Sequence, residues 1–235
     1  MHKKLRLPGR IASICLAFLA SAAWAQFPAD RSVSIVVPFS AGGPTDKVAR
    51  ELALALSKPL GQNVVVENVT GAGGTIGTRK VALAPKDGHT VLVHTMGMAT
   101  APSLYRSLPF DPEKDFTYVG QIVDVPMVIV GRKGLPAKDL RELVAYIRAN
   151  PGRVSIGHAG PGSGAHLCTL LFEREVKAKM VSVAYKGSAP ALSDVIGGQI
   201  DLACDQTSST SAQIQGGQVV GYAIASGQRH PGLPS

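Results

Sequence analysis

The sequence predicts an α/β fold, and three observations carry that prediction. Short β-rich runs recur between residues 33 and 225, with helical patterns between them at the spacing of strand–helix units. The runs are close to continuously apolar, as in parallel sheets covered on both faces. Four glycine-rich turns each join the end of such a run to the start of a helical pattern.

From the N-terminus, Lys3, Lys4, Arg6 and Arg10 precede an apolar run over residues 11–20, closed by Ala23-Trp24-Ala25. This is the layout of a secretory signal peptide over residues 1–25, with cleavage expected after Ala25 and a periplasmic product. The run is shorter than the roughly 20 apolar residues that cross a bilayer. Cys15 lies inside it behind Ile14, which does not suit a lipoprotein cleavage site.

Strands are predicted at residues 33–38, 63–67, 90–94, 127–130, 154–157, 181–184, 200–204 and 219–225. Residues 44–59 read as a helix with Pro44 in its first turn and Val48, Leu52 and Leu56 along one face. Residues 138–150 set Leu140, Leu143, Val144 and Ile147 at helical spacing before the stop Asn150-Pro151-Gly152. Ser163 and Ser188 each stand just before a helical pattern as candidate caps. Pro109 and Pro112 give residues 108–115 loop character, and the rhythm restarts after Pro126. The expected division is a first lobe at 26–124, a second at 125–226, and residues 227–235 beyond them.

The chain carries a formal charge of +8, which falls to +4 over the 210 residues left after the signal peptide. That charge is scattered, with no basic run and no aromatic interleaving, so nucleic acid is not an expected partner. It favours an anionic small ligand through its field. An oxidising compartment permits a Cys168–Cys204 bond, while the apolar context of each suits a buried free thiol equally well. The sequence leaves both open.

The chemistry concentrates in the turns. Pro38-Phe39-Ser40-Ala41-Gly42-Gly43-Pro44-Thr45-Asp46 joins the first strand to the first helix, where backbone N–H groups and the helix dipole accept an anion. Such turns lie beyond the carboxyl ends of the strands, where open α/β sheets bind ligands. A tight connection needing glycine for positive φ explains the same residues. Gly71-Ala72-Gly73-Gly74 repeats the logic, but Ile76 stands where a dinucleotide fingerprint needs its third glycine, and no phosphate-loop lysine follows. The third and fourth turns are residues 157–166 and 185–190, so the four are spread over both halves, as around a cleft closed from two sides.

A hydrolase would use Ser163 or Ser188 with His158 or His166, yet Pro161 and Lys186 break the nucleophile-elbow pattern two residues before each serine. The histidines lack metal-ligand spacing, so neither metal nor cofactor is expected. Asp205, at the end of the strand 200–204, reads as a helix cap or as a group facing the polar part of a ligand, with capping the favoured reading.

At these turns the sequence resembles the Bug family, the extracytoplasmic receptors of tripartite tricarboxylate transporters. The resemblance runs through residues 36–46, Gly71 to Gly77, Tyr185-Lys186-Gly187-Ser188-Ala189-Pro190-Ala191 and Gly197-Gly198-Gln199-Ile200-Asp201, and covers residues 30–226 in the family's order. It implies a two-lobed α/β fold of the type II periplasmic-binding-protein kind, with the cleft gripping a small organic carboxylate. Phe39, Ser40, Gly43, Thr45 and Asp46, with Gly73 and Gly74, would form the first-lobe side. Ser163, Gly164, His166, Tyr185, Gly187, Ser188 and Ala189 would face them, and Asp205 would meet the ligand's distal end.

Proteins of this kind continue past Gly227 with a segment that completes the first lobe, which is therefore expected to be incomplete here. The implied function is non-catalytic capture of a carboxylate by a monomer that hands it to the membrane components of a tripartite tricarboxylate-type transporter. A ligand sensor for a signalling partner and an exported serine hydrolase are the competing readings.

Overall fold

The computed structural model describes residues 31–230 and Leu233; the signal-peptide reading and most of the last five residues lie outside the described residues. Among the described residues eight strands form: β1 (Val33–Val37), β2 (Val64–Asn68), β3 (Thr90–Leu92), β4 (Met127–Arg132), β5 (Ser155–His158), β6 (Val181–Ala184), β7 (Leu202–Gln206) and β8 (Val219–Ile224). Seven α-helices accompany them: α1 (Pro44–Leu60), α2 (Thr75–Ala82), α3 (Gly97–Leu104), α4 (Leu140–Ala149), α5 (Gly164–Val176), α6 (Ser188–Ile196) and α7 (Thr207–Gln215). None of the described helices is long and apolar enough to cross a membrane.

The strands divide into two sheets, one for each lobe. The first has the order β2-β1-β3 and is parallel throughout. The second has the order β6-β5-β7-β4-β8. Here the parallel expectation needs correction, because β4 runs antiparallel to both β7 and β8. An apolar run records burial on both faces but not direction, and β4 is the strand on which the chain enters this sheet. A register shift between Ile129 and Val130 makes Tyr222 the extra residue of a bulge, with its hydroxyl donating to Ala137 O at 3.0 Å.

Alternation along β4 and β7 builds two cores on opposite faces of the second sheet. Ile129, Leu202 and Cys204 pack with Leu143, Ile147 and Ile156 on one side. Val128, Val130 and Ala203 pack with Leu192, Val195 and Ile214 on the other. In the first lobe Ile35, Val37 and Phe39 pack against Ala49 and Ala53 of α1, and Ala159 and Ala165 of the second lobe join that cluster. The apolar interior is therefore continuous across the lobe junction.

Helix starts follow local chemistry. Asp139 caps α4 by accepting from Glu142 N at 2.8 Å, and Ser163 caps α5 by accepting from His166 N at 3.1 Å. Ser188 is not a cap: Gly187 occupies that position and Ser188 is the first helical residue. The helix therefore starts one residue earlier than expected, and the lack of a Cβ lets Gly187 lie against Ser40 of the other lobe.

Candidate functional site

Four helix N-termini converge on one cavity between the lobes. Pro44 and Thr45 open α1, Ser163, Gly164 and Ala165 begin α5, Ser188 begins α6, and Gln206 caps α7; all line the cavity. Each terminus carries unpaired N–H groups and roughly half a positive charge. Phe39, Thr95, Met127, Ala159 and Asp205 complete the wall. The cavity volume is about 30 Å³, room for about two waters.

Of the residues expected at the site, Phe39, Thr45, Ser163, Gly164, Ser188 and Asp205 line this cavity. Others hold its rim. Ser40 N donates to Lys186 O at 3.2 Å across the junction, while the buried Ser40 hydroxyl meets no protein partner. Gly43 lies beside Ser40 O and Ala189 N, and Gly187 lies against Ser40. The Tyr105 hydroxyl sits 2.9 Å from Ala72 O and 2.8 Å from Pro161 O, so its one proton is shared between the carbonyls of two lobes. Gly73 stands in the same contact with a φ of 64°, and Gly74 lies beside His94 and Phe39.

Asp46 and Tyr185 are occupied elsewhere. The Asp46 carboxylate accepts from Gly42 N (2.8 Å), from Arg50 Nε (2.9 Å) and Nη2 (3.0 Å), and from Asn68 Nδ2 (2.9 Å). Burial alone would raise this carboxyl, but hydrogen bonds from Arg50, Gly42 and Asn68 hold it below its ordinary value. Asn68 Nδ2 also donates to Phe39 O, so the network fixes the first turn from behind. The Tyr185 hydroxyl donates to Asp194 Oδ2 at 2.6 Å, and burial with that carboxylate pushes it up to about 12.

Asp205 is 1 % exposed and accepts from Ser209 Oγ at 2.6 Å and Gln206 N at 2.8 Å. Its contact with α7 is thus through a side chain and the cap residue rather than the inner backbone amides expected of a helix cap. Burial pushes its carboxyl up, against the pull of Ser209, Gln206, Ser188 and the field of Lys47.

Not among the expected site residues were Pro44, Thr95, Met127, Ala159, Ala165 and Gln206. Thr95 is the most telling, because its hydroxyl is buried without a protein partner at the cavity wall. Its signal was the position just past β3 and before α3, the same strand-end placement without the glycines.

The histidines do not form a catalytic pair with either serine. The Ser163 hydroxyl caps α5, and His166 Nδ1 accepts from Gly162 N at 3.1 Å. His158 Nδ1 accepts from Gly160 N at 3.2 Å, and the two rings stack with centroids 4.5 Å apart. No cluster of three metal-ligating side chains occurs among the described residues.

Burial lowers His94 to about 4, and burial with the neighbouring His166 lowers His158 to about 4. Below the ordinary histidine value near 6.5 the unfolded chain takes up these protons before the folded one, so stability falls as pH drops from about 6.5 to 4. Asp205 works in the opposite sense, since the folded state protonates it first. His166, also lowered by burial, adds to the fall, and each such histidine contributes up to about 1.4 kcal/mol per pH unit. Urea unfolding at pH 7, 6 and 5 is expected to show this slope, and His158→Asn, which keeps an acceptor for Gly160 N, is expected to flatten it. An unchanged slope in that variant would remove His158 from the account.

Comparison with known proteins gives a consistent result. The model of the "Tripartite tricarboxylate transporter family receptor" matches residues 48–235. A UPF0065 protein from the TAR-I ttuE-ttuC' intergenic region of Agrobacterium vitis is 47% identical over 202 residues, which are 86% of this chain and 58% of that protein. The chain thus spans somewhat more than half of that relative's length. The periplasmic binding protein BugD superposes with a TM-score of 0.84 at 46% identity, over 86% of this chain and 68% of BugD. MatC from Rhodopseudomonas palustris with bound malate superposes with a TM-score of 0.82 at 39% identity, over 86% and 69% of the two chains.

Proposed function

The chain belongs to the tripartite tricarboxylate transporter receptor family of periplasmic solute-binding proteins, and we propose that its cleft captures a small organic carboxylate for delivery to such a transporter. The observation that carries the reading is the convergence of four helix N-termini on one cavity, where the Thr95 hydroxyl is buried without a protein partner and helix starts favour an anion. A carboxylate offers the acceptor oxygens and the charge that this arrangement favours. The malate held by MatC is a ligand of that class.

In this reading the lobes are residues 26–124 and 125–226, and the protein reaches the periplasm by loss of residues 1–25. Phe39, Thr45, Ser163, Gly164 and Ser188 contact the carboxylate, while Asp46 and Tyr185 position the turns. Ser40, Gly43, Gly73, Gly74, Gly187 and Ala189 set how closely the lobes approach, and His166 stiffens the turn before α5. The protein is a monomeric, non-catalytic receptor, a reading supported by the Ser163 hydroxyl capping α5 and the Ser188 hydroxyl bonding to Asp205 rather than to a base.

The test is thermal unfolding with a panel of carboxylates. At a hundredfold excess over Kd a ligand of the folded state adds about 2.7 kcal/mol, a rise in Tm of roughly 5–10 °C for a chain of this size. One acid class moving the transition is the expected result. A cooperative transition that no acid moves would sink the carboxylate reading.

A further inference from the structure

We infer that Tyr105 is the latch of the closed arrangement: its hydroxyl proton passes from a carbonyl of its own lobe to one of the other lobe when the two meet. The inference concerns how the site is held shut, and only its effect on ligand release rests on the carboxylate reading above.

Tyr105 follows α3 in the first lobe, where its N–H donates to Ala101 O at 3.0 Å and fixes the origin of the ring. The hydroxyl stands between Ala72 O at 2.9 Å and Pro161 O at 2.8 Å, and a phenol has one proton to give. The two carbonyls are not equal claimants. Ala72 O already accepts from Thr75 N and, at 3.0 Å, from Thr75 Oγ1. For Pro161 O the Tyr105 hydroxyl is the one donor among the described residues. The proton therefore goes to Pro161 O in the closed arrangement, and Ala72 O holds the hydroxyl in place when the lobes are apart.

The second-lobe turn is seated on this residue. A Cβ on Gly162 would stand 3.2 Å from the Tyr105 ring, and one on Gly97 would stand 2.8 Å from Gly162 O, so turn and ring meet without side chains between them. Two bonds make the turn continuous with the cavity wall. Ser163 N donates to Gly160 O at 3.1 Å, and Gly162 N donates to His166 Nδ1 at 3.1 Å within the first turn of α5. Drawing Pro161 to Tyr105 thus sets the start of α5, with Ser163 and Gly164 at the wall. Tyr105 itself does not line the cavity, so it acts on the site by position and not by contact.

Amide hydrogen exchange of the unliganded protein, wild type against Tyr105→Phe, is the experiment. The readout is Ser40 N–H, whose bond to Lys186 O crosses the junction between a different pair of turns. A latch that governs closure as a whole is expected to release that amide about three- to tenfold faster when the hydroxyl is lost, the net strength of one hydrogen bond. Amides inside β1 and β5 should keep their rates. Tyr118→Phe is the control, since that hydroxyl donates to Pro112 O within the first lobe, and it should leave Ser40 unchanged. Dissociation of malate is expected to quicken by the same factor, with association little altered. A change confined to residues 160–164, or none at all, would reduce Tyr105 to a local contact and overturn the inference. Failure of malate to bind would bear on the carboxylate reading alone, because exchange in the unliganded protein decides the latch.

Discussion

Reducing the Cys168–Cys204 bond is expected to lower the unfolding free energy by roughly 4 kcal/mol, the chain-entropy value for a loop of this length. The bond joins α5 to β7 across a sequence separation of 36 residues, with Cα atoms 6.2 Å apart. The loop so closed contains β6, α6 and most of β7, so the unfolded chain loses freedom over three elements of the second sheet and its cover. For a chain of about 200 residues the loss corresponds to roughly 8–16 °C in Tm. Urea unfolding with and without reductant, alongside Cys168→Ala/Cys204→Ala, measures it. Coincident curves would mean the two sulfurs act as buried thiols. The sequence left that choice open because each cysteine sits in an apolar run, and only the packing of α5 on the sheet brings Cys168 over Cys204.

The elements with strong local signatures were legible, and the rest were not. Every predicted strand appears within a few residues of its expected place, because each apolar run is bounded by turn residues. The direction of β4 was not readable, since burial on both faces looks the same in either orientation. Helix α7 escaped notice because Thr207–Gln215 holds five serines and threonines, which compete for the backbone and usually mark turns. In the structure their hydroxyls return to the preceding turn, Ser211 Oγ to Thr207 O at 2.7 Å and Thr210 Oγ1 to Gln206 O at 3.0 Å. Helix α3 contains Gly97 and Pro102, and without it Thr95 had no helix start to mark it. Glycine pattern therefore pointed to the turns, while Thr95 and Met127 enter the wall from segments without that pattern and became visible only in the fold.

Gly73→Ala is expected to abolish ligand-induced stabilisation while leaving the protein folded. Gly73 has a φ of 64°, and a Cβ there would overlap the Pro161 carbonyl oxygen and stand 2.6 Å from the Tyr105 hydroxyl. Pro161 belongs to the second lobe and Gly73 to the first, so the overlap arises only when the lobes meet. The left-handed backbone by itself costs an alanine about 1–2 kcal/mol. Gly61 supplies the control, because it has a φ of 63° and a methyl group placed there would have nothing within 4 Å. Gly61→Ala should share the modest fall in Tm and keep wild-type affinity. Gly73→Ala should show the same fall and lose affinity by about a hundredfold or more, which needs only about 2.7 kcal/mol of clash in the closed arrangement. Backbone atoms form the obstacle, so no rotamer change relieves it, and separating the lobes does so at the expense of the cross-junction contacts at Tyr105 and Ser40. Equal affinity in the two alanine variants would show that the ligand is held with the lobes apart at this point, and would move the binding contacts onto the second-lobe wall alone.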